Sequence, residues 1–228
     1  MAAKDTSTSP LGGRSASAVL ADAGPGEPAA TRAAQIKGLE EQLQDGGLTP
    51  LGSCAHLSDY GTDLLRTSPL LQDLSPAEAG VLGASMLLIR AAPGQLLIRE
   101  GEAGDWMMLL LKGTVDVTRL VEPRPAASPD TTEEVANEPE VRPTISRVAV
   151  LRPGAAFGEM SMLDSEPRYA SCTAIEAVEA GVLGRHAIAL LIRDHPAVGA
   201  KLLVKITQLM AQRLRNTSNR LVKLLRKR

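Results

Sequence analysis

A series of short apolar segments separated by turn residues constrains the fold more than any other feature of this chain. Turn residues interrupt the apolar runs between residues 87 and 120 at four places: Pro93-Gly94, Gly101, Gly104-Asp105 and Gly113. Short apolar runs bounded by Gly, Pro and Asp are typical of β-strands joined by tight turns. Several such strands in succession predict a roll, a sandwich or a barrel.

Helical signals flank this β-rich region. Ser75 is a good N-cap residue and Pro76 fits the first turn of a helix, so the sequence predicts a helix over residues 77–86. Weaker helical patterns cover residues 31–45 and 57–66. After Arg185 the apolar period becomes helical and stays so to the end of the sequence. The predicted fold class is therefore mainly β with flanking helices.

Two segments contain few large apolar residues. Residues 1–30 are small, polar and broken by Pro and Gly, and residues 121–145 are rich in Pro and Glu. Such segments bury too little apolar surface to offset the entropy lost on ordering. We therefore divide the chain into a disordered or weakly helical tail (1–50), a β domain (51–184) and C-terminal helices (185–228). A disordered insertion at 121–145 would lie at a hairpin tip.

Composition argues against several functional classes. The formal net charge of −1 gives no overall attraction to nucleic acid or anionic membranes. Neither Cys54 and Cys172 nor His56, His186 and His195 have the spacing of a metal or catalytic site. The sequence also has no apolar run of 18 residues, so we expect no membrane insertion and a cytoplasmic location. We expect no enzymatic activity, no catalytic residue, no cofactor and no metal.

The segment FGEMSMLDSEPRYASCTA, residues 157–174, has the residue types of an anion pocket. Gly158 permits a close approach of the backbone, and a helical turn that starts near Glu159 would direct free amides at one point. Arg168 offers a bidentate fork to a phosphate. Because a carboxylate repels phosphate, Glu159 would suit a sugar hydroxyl instead. The alternative is that Glu159 and Arg168 simply pair across a turn.

This segment resembles the phosphate-binding cassette of the cyclic nucleotide-binding domain family. The family pattern is FGE, then small and apolar residues, then PR, any residue, Ala, and Ser or Thr. Gly94, the stretch from Gly101 to Gly113, and Gly154 resemble the family's turn glycines in sequence order. The resemblance covers about residues 70–225. It implies a β-roll, similar to a double-stranded jelly roll, followed by a long C-terminal helix.

In this family the Glu holds the ribose 2′-hydroxyl, the Arg holds the cyclic phosphate, and nearby backbone amides complete the cradle. The resemblance thus implies these ligand-binding residues: Phe157, Gly158, Glu159, Met160, Arg168, Tyr169, Ala170 and Ser171. Tyr169 departs from the pattern, because binding members usually have Ala, Ser or Thr there. Its phenol would donate to the phosphate, stack near the sugar or narrow the pocket. A degenerate member that serves as a structural or interaction module without ligand is therefore an alternative.

The C-terminal helix combines an apolar stripe with a polar island. We interpret Leu203, Ile206, Met210, Leu214 and Leu221 as the seam of a homodimer, although one face of a helix packed on its own roll gives the same stripe.

The run MAQRLRNTSNR, residues 210–220, is similar to the long helix of the catabolite-activator-type cyclic AMP receptor proteins. That similarity implies that Thr217 and Ser218 contact the base, the Ser from the partner subunit. The alternative is a merely polar helix surface.

The receptor proteins continue into a DNA-reading helix-turn-helix, whereas this sequence ends at LVKLLRKR, with seven basic and no acidic residues from Arg213 to Arg228. A basic helix end also complements the helix dipole, so we expect no sequence-specific DNA binding. We predict a receptor for cyclic AMP, with cyclic GMP as an alternative ligand, that acts on an unidentified protein partner. A regulator with weak DNA or membrane contact through the basic C-terminus is a further alternative.

Overall fold

The computed structural model describes residues 38–54, 57–121 and 144–226. In these ranges the chain forms two antiparallel sheets, with strand orders β1-β2-β9-β4-β7 and β3-β8-β5-β6. The strands are β1 (Thr49–Ser53), β2 (Leu87–Ala91), β3 (Leu96–Ile98), β4 (Trp106–Lys112), β5 (Val115–Val121), β6 (Thr144–Leu151), β7 (Ala156–Phe157), β8 (Ser171–Ala174) and β9 (Val178–Gly184). The predicted β-roll is confirmed.

Helices cover one face of the roll and extend from it. They are α1 (38–45), a 3-10 turn (Leu57–Tyr60), α2 (Thr62–Thr67), α3 (Pro76–Ala84), α4 (Glu159–Asp164), α5 (Arg185–Asp194) and α6 (Pro196–Leu225). The long C-terminal helix α6 has 30 residues, so it spans about 45 Å at 1.5 Å per residue. The helical pattern predicted after Arg185 is therefore confirmed, with one break at His195.

Strand β4 explains why its sequence, WMMLLLK, is almost continuously apolar. It pairs with β9 on one side and β7 on the other, and its residues 107–111 are all buried. Met108 and Leu110 face the second sheet, where they form the inter-sheet core with Val115 and others. Met107 and Leu109 face the helices and form the helix–sheet core. A strand covered on both faces needs no polar alternation.

Helix α3 begins where the sequence predicted, with a complete capping box. The Ser75 hydroxyl accepts from the Glu78 amide at 3.3 Å, and the Ser75 amide donates to the Glu78 carboxylate at 2.8 Å. The helix ends at Ala84, two residues before the predicted end at 86, because Leu87 already belongs to β2. The helix predicted over 57–66 is divided at Gly61, whose φ is 93°.

The division predicted at residue 50 does not match the packing. Residue 50 lies inside β1, which pairs with β2, and Leu43 of α1 and Leu48 are buried in the inter-sheet core. Residues 38–50 therefore belong to the roll. The rest of the predicted tail and residues 122–143 of the insertion lie outside the described residues. Val121 pairs with Thr144, so the two ends of the insertion are adjacent. Of the helices described, none is long and apolar enough to cross a bilayer.

Candidate functional site

The turn between β7 and α4 forms one wall of the site. Gly158 has φ 78° and immediately precedes α4, whose first-turn amides receive no side-chain cap. A Cβ at Gly158 would lie 2.9 Å from Ile98 Cδ1 and 3.1 Å from Arg168 Nη1. Conformation and space therefore both require glycine here. The amides at the start of α4 lack intrahelical partners, as at any helix N-terminus, and they directly follow the Gly158 carbonyl that accepts from Arg168.

Arg168 is buried in the cassette, defined here as residues 157–171. Its side chain is only 4% exposed, and its Nη1 donates to the Gly158 carbonyl at 2.6 Å. The guanidinium carbon lies 4.2 Å from the centre of the Trp106 ring, while Nη2 is buried and has no hydrogen-bond partner among the described residues. Burial lowers the pKa of Arg168, against the opposing effect of nearby acidic groups that include Asp105. A buried cation with a free donor is costly unless an anion satisfies it.

Glu159 is the acidic counterpart of this site. It is 1% exposed, and its Oε1 accepts from Nη1 of Arg213 on α6. Its Oε2 is buried and finds no partner in the part of the chain that the structure describes. Arg213 also donates through Nη2 to the Ala156 carbonyl. The alternative that Glu159 and Arg168 merely pair across a turn is therefore wrong, because Glu159 pairs with α6. The site keeps one unpaired acceptor and one unpaired donor, which suits a ligand with a hydroxyl and an anionic oxygen.

Tyr169 is held at the surface. Its side chain is 51% exposed, and the Arg119 guanidinium lies 4.0 Å from the centre of its ring. Arg119 in turn contacts the Glu100 carboxylate at 3.4 Å. The ring is thus occupied by a cation–π contact with β5. Its bulk is not packed into the cassette interior beside Arg168.

The remaining predicted cassette residues have different surroundings. Phe157 is buried in the inter-sheet core, and Met160 is exposed. Ser171 accepts from the Glu100 amide at 3.0 Å, so its hydroxyl supports the roll. Ala170 is half-buried beside it. Of the predicted set, Gly158, Glu159 and Arg168 form the polar centre.

The predicted base-contacting residues lie farther along α6. Thr217 and Ser218 are both exposed, and Thr217 follows Arg213 by one helical turn. Arg213 of α6 instead makes the hydrogen bond to Glu159 of the cassette, and it was missed from the sequence. Its position four residues before Thr217, on the same helix face, was the available signal.

The predicted dimer seam needs a correction at one residue. Ile206 is 1% exposed and belongs to the helix–sheet core, so it is already covered by its own chain. Met210 packs partly against the same core. Leu203, Leu214 and Leu221 are exposed, Leu214 to 69%. The apolar stripe thus has two different surroundings. The first half of α6 packs on the roll, and the second half extends beyond it.

Comparison with known proteins agrees with this geometry. Residues 141–195 match the family model described as the cyclic nucleotide-binding domain. A solved cyclic nucleotide-binding domain from Methylobacillus flagellatus superposes with a TM-score of 0.60 at 29% identity, covering 77% of this chain and 88% of that one. Over residues 141–195 the chain thus matches the cyclic nucleotide-binding domain family, and its fold is similar to that of a solved member. The predicted resemblance is confirmed.

Two curated relatives of this chain are bacterial proteins. The CRP-like cAMP-activated global transcriptional regulator of Mycobacterium tuberculosis is 27% identical over 72% of this chain and 62% of its own length. The cyclic AMP receptor protein of Thermus thermophilus is 32% identical over 66% of this chain and 59% of its own length. The chain thus spans about three fifths of these relatives.

Proposed function

We propose that this protein is a cyclic nucleotide receptor whose preferred ligand is cyclic AMP. One observation carries the proposal: the cassette buries a carboxylate and a guanidinium that each have one polar atom without a partner among residues 38–54, 57–121 and 144–226, namely Glu159 Oε2 and Arg168 Nη2. Leaving such groups unsatisfied costs about 1 to 3 kcal/mol each. A ligand that carries a hydroxyl beside a phosphate would remove both costs at once.

The ligand's cyclic phosphate would accept from Arg168 Nη2 and from amides at the start of α4. Its ribose 2′-hydroxyl would donate to Glu159 Oε2, the atom that Arg213 leaves free. A charge-assisted hydrogen bond in a desolvated site contributes about 1.5 to 3 kcal/mol. These roles follow the family pattern and use the atoms that are unpaired in this chain.

Base selection would take place between the roll and α6. Thr217 and Ser218 follow Arg213 on α6, and their hydroxyls both donate and accept. We propose that they contact adenine, Ser218 from the partner subunit. Tyr169 is stacked on Arg119 at the surface, which supports a ligand-binding domain over a degenerate one.

We further propose that α6 carries the output as a homodimer. Leu214, Thr217, Leu221 and Leu224 recur at intervals of three and four residues, which is the spacing of a coiled-coil seam, and the three leucines are exposed. The ion pair between Arg213 and Glu159 joins this helix to the pocket. Ligand binding would shift the angle of α6 and act on a protein partner in the cytoplasm.

Calorimetric titration with cyclic AMP and cyclic GMP tests the proposal. We expect micromolar or tighter binding of cyclic AMP, and loss of detectable binding in Arg168→Leu, since about 2 to 4 kcal/mol disappears. The matched control is Arg147→Leu, which replaces an exposed arginine of β6 that pairs with Asp116 of β5. Wild-type protein that binds neither nucleotide would establish the degenerate module instead. Unchanged affinity in folded Arg168→Leu would remove the cassette assignment.

A further inference from the structure

Trp106, the single tryptophan of the chain, contacts the predicted phosphate-binding arginine. Its ring centre lies 4.2 Å from the guanidinium carbon of Arg168, a cation–π distance. Two residues earlier, a Cβ on Gly104 would lie 2.3 Å from both Nε and Nη2 of Arg168, so the Gly104 backbone also packs against the guanidinium. One short segment, 104–106, therefore supplies two of the contacts that confine this side chain.

The sheet fixes the position of this segment. Trp106 pairs with Gly184 at the start of the β4–β9 ladder, and the Asp105 carbonyl accepts from the Arg185 amide at 2.8 Å. The indole also packs against the inter-sheet core. Backbone pairing thus holds the ring in place before any ligand arrives. A rigid ring on a sheet is a better support for a long, flexible arginine than a side chain on a loop.

The chemistry of the ring suits a phosphate site. A buried guanidinium needs compensation for its lost hydration, and the usual partner is a carboxylate. A carboxylate beside Arg168 would occupy its N–H donors and repel a phosphate. An aromatic face attracts the cation without accepting those N–H groups. This agrees with an Nη2 that is buried and unpaired.

We infer that Trp106 is a positioning residue of the phosphate site: its indole stacks on the Arg168 guanidinium and keeps Nη2 directed at the ligand's phosphate. The inference rests on the proposed function. It adds that the π face of Trp106 matters, and not merely its volume. If Trp106 only filled the core, replacing it with another apolar side chain of similar size would leave the phosphate site unchanged.

A first experiment needs no ligand. Because the chain has a single tryptophan, its emission reports this ring alone. We expect Arg168→Leu to change the intensity and wavelength of that emission by removing the cation. The control Arg119→Leu removes the cation stacked on Tyr169 and should leave the tryptophan spectrum unchanged. An unchanged spectrum in Arg168→Leu would overturn the stacking.

A second experiment measures cyclic AMP affinity by calorimetry in Trp106→Leu, Trp106→Met and Trp106→Phe. The two variants without a π face should bind about tenfold more weakly than wild type, and Trp106→Phe should recover most of that loss. If one aliphatic variant does not fold, the other provides the comparison with Phe. Binding that follows side-chain volume instead of the π face overturns the positioning role alone. Wild-type protein that does not bind overturns the proposed function and this role with it.

Discussion

Replacing Gly104 with alanine perturbs the phosphate site without changing a charge. The added Cβ would lie 2.3 Å from Nε and Nη2 of Arg168 and 2.5 Å from its Cζ, below the 3.0 Å that real Cβ contacts respect. Gly104 is not among the glycines with positive φ, so alanine fits its backbone without strain. The guanidinium therefore has to move, while Trp106 and the Gly158 carbonyl restrict where it goes.

The size of the effect follows from these distances. Moving from 2.3 Å to at least 3.0 Å from the added Cβ displaces the guanidinium by about 0.7 Å. A hydrogen bond of about 2.9 Å from Arg168 to a bound phosphate would be lost if it were stretched by that amount. Loss of one charge-assisted hydrogen bond costs about 1.5 to 3 kcal/mol, which weakens binding about 10- to 150-fold. The free energy of unfolding should change little. Alanine lowers the entropy of the unfolded chain, which stabilises the fold by about 0.4 to 1 kcal/mol and offsets the disturbed Arg168 contact.

Calorimetric titration with cyclic AMP measures the affinity, and thermal unfolding measures the stability. The matched control is Gly80→Ala in α3, where no atom of the described residues counted lies within 4 Å of the added Cβ. It should bind like wild type and gain up to about 1 kcal/mol in stability, since alanine favours a helix interior. Wild-type affinity in Gly104→Ala would refute the confined guanidinium. An equal loss in both variants would show that the effect is not local.

Three further expectations concern the ligand, the dimer and the thiols. Glu159→Ala should weaken cyclic AMP binding less than Arg168→Leu does, and calorimetry should show reduced discrimination against a 2′-deoxy analogue; equal discrimination would contradict the ribose role. Thr217→Ala should lower affinity for cyclic AMP more than for cyclic GMP, and Leu214→Glu should give monomers in light scattering; a wild-type monomer indifferent to both changes would refute the α6 mechanism. Burial raises the pKa of the Cys54 thiol to about 11 and of the Cys172 thiol to about 12, so at about pH 8 alkylation should be slow until the protein unfolds; rapid labelling of folded protein would contradict this.

The parts of the fold that the sequence predicted well are specified by neighbouring residues. Helix α3 begins at Ser75-Pro76 because the capping box needs only residues three positions apart. Gly94, Gly101 and Gly113 mark turns because each has a positive φ. The cassette was predictable for the same reason, since Gly158, Glu159 and Arg168 lie within eleven residues of sequence.

The parts that the sequence did not predict depend on contacts between distant segments. Arg213 and Glu159 are 54 residues apart, and their pairing depends on how α6 docks on the roll. The stripe on α6 is equally apolar at Ile206 and Leu214, yet Ile206 is buried against its own chain and Leu214 is exposed. Helical periodicity shows which residues share a face, not what covers that face. Leu48 was likewise assigned to the tail, because its burial in the inter-sheet core depends on contacts with distant strands.

Helix α6 is continuous from Pro196 to Leu225, and this continuity explains how a small ligand would affect a distant surface. Its first half is anchored in the helix–sheet core through Leu202, so any rotation about that anchor would displace the exposed leucines more than the anchored residues. Between the two lies Arg213, partly exposed and bound to a buried carboxylate. A nucleotide that contacted both Glu159 and the proposed base-contacting residues would bind best at one angle of α6. It would shift the equilibrium between two arrangements of the helix only by the difference in its affinity for them, about 1.4 kcal/mol for each factor of ten.

Arg213→Met, which removes the ion pair and keeps an extended apolar side chain, should therefore reduce the effect of cyclic AMP on dimerisation more than it reduces the affinity itself. Equal losses in both measurements would mean that Arg213 serves the pocket and not the coupling.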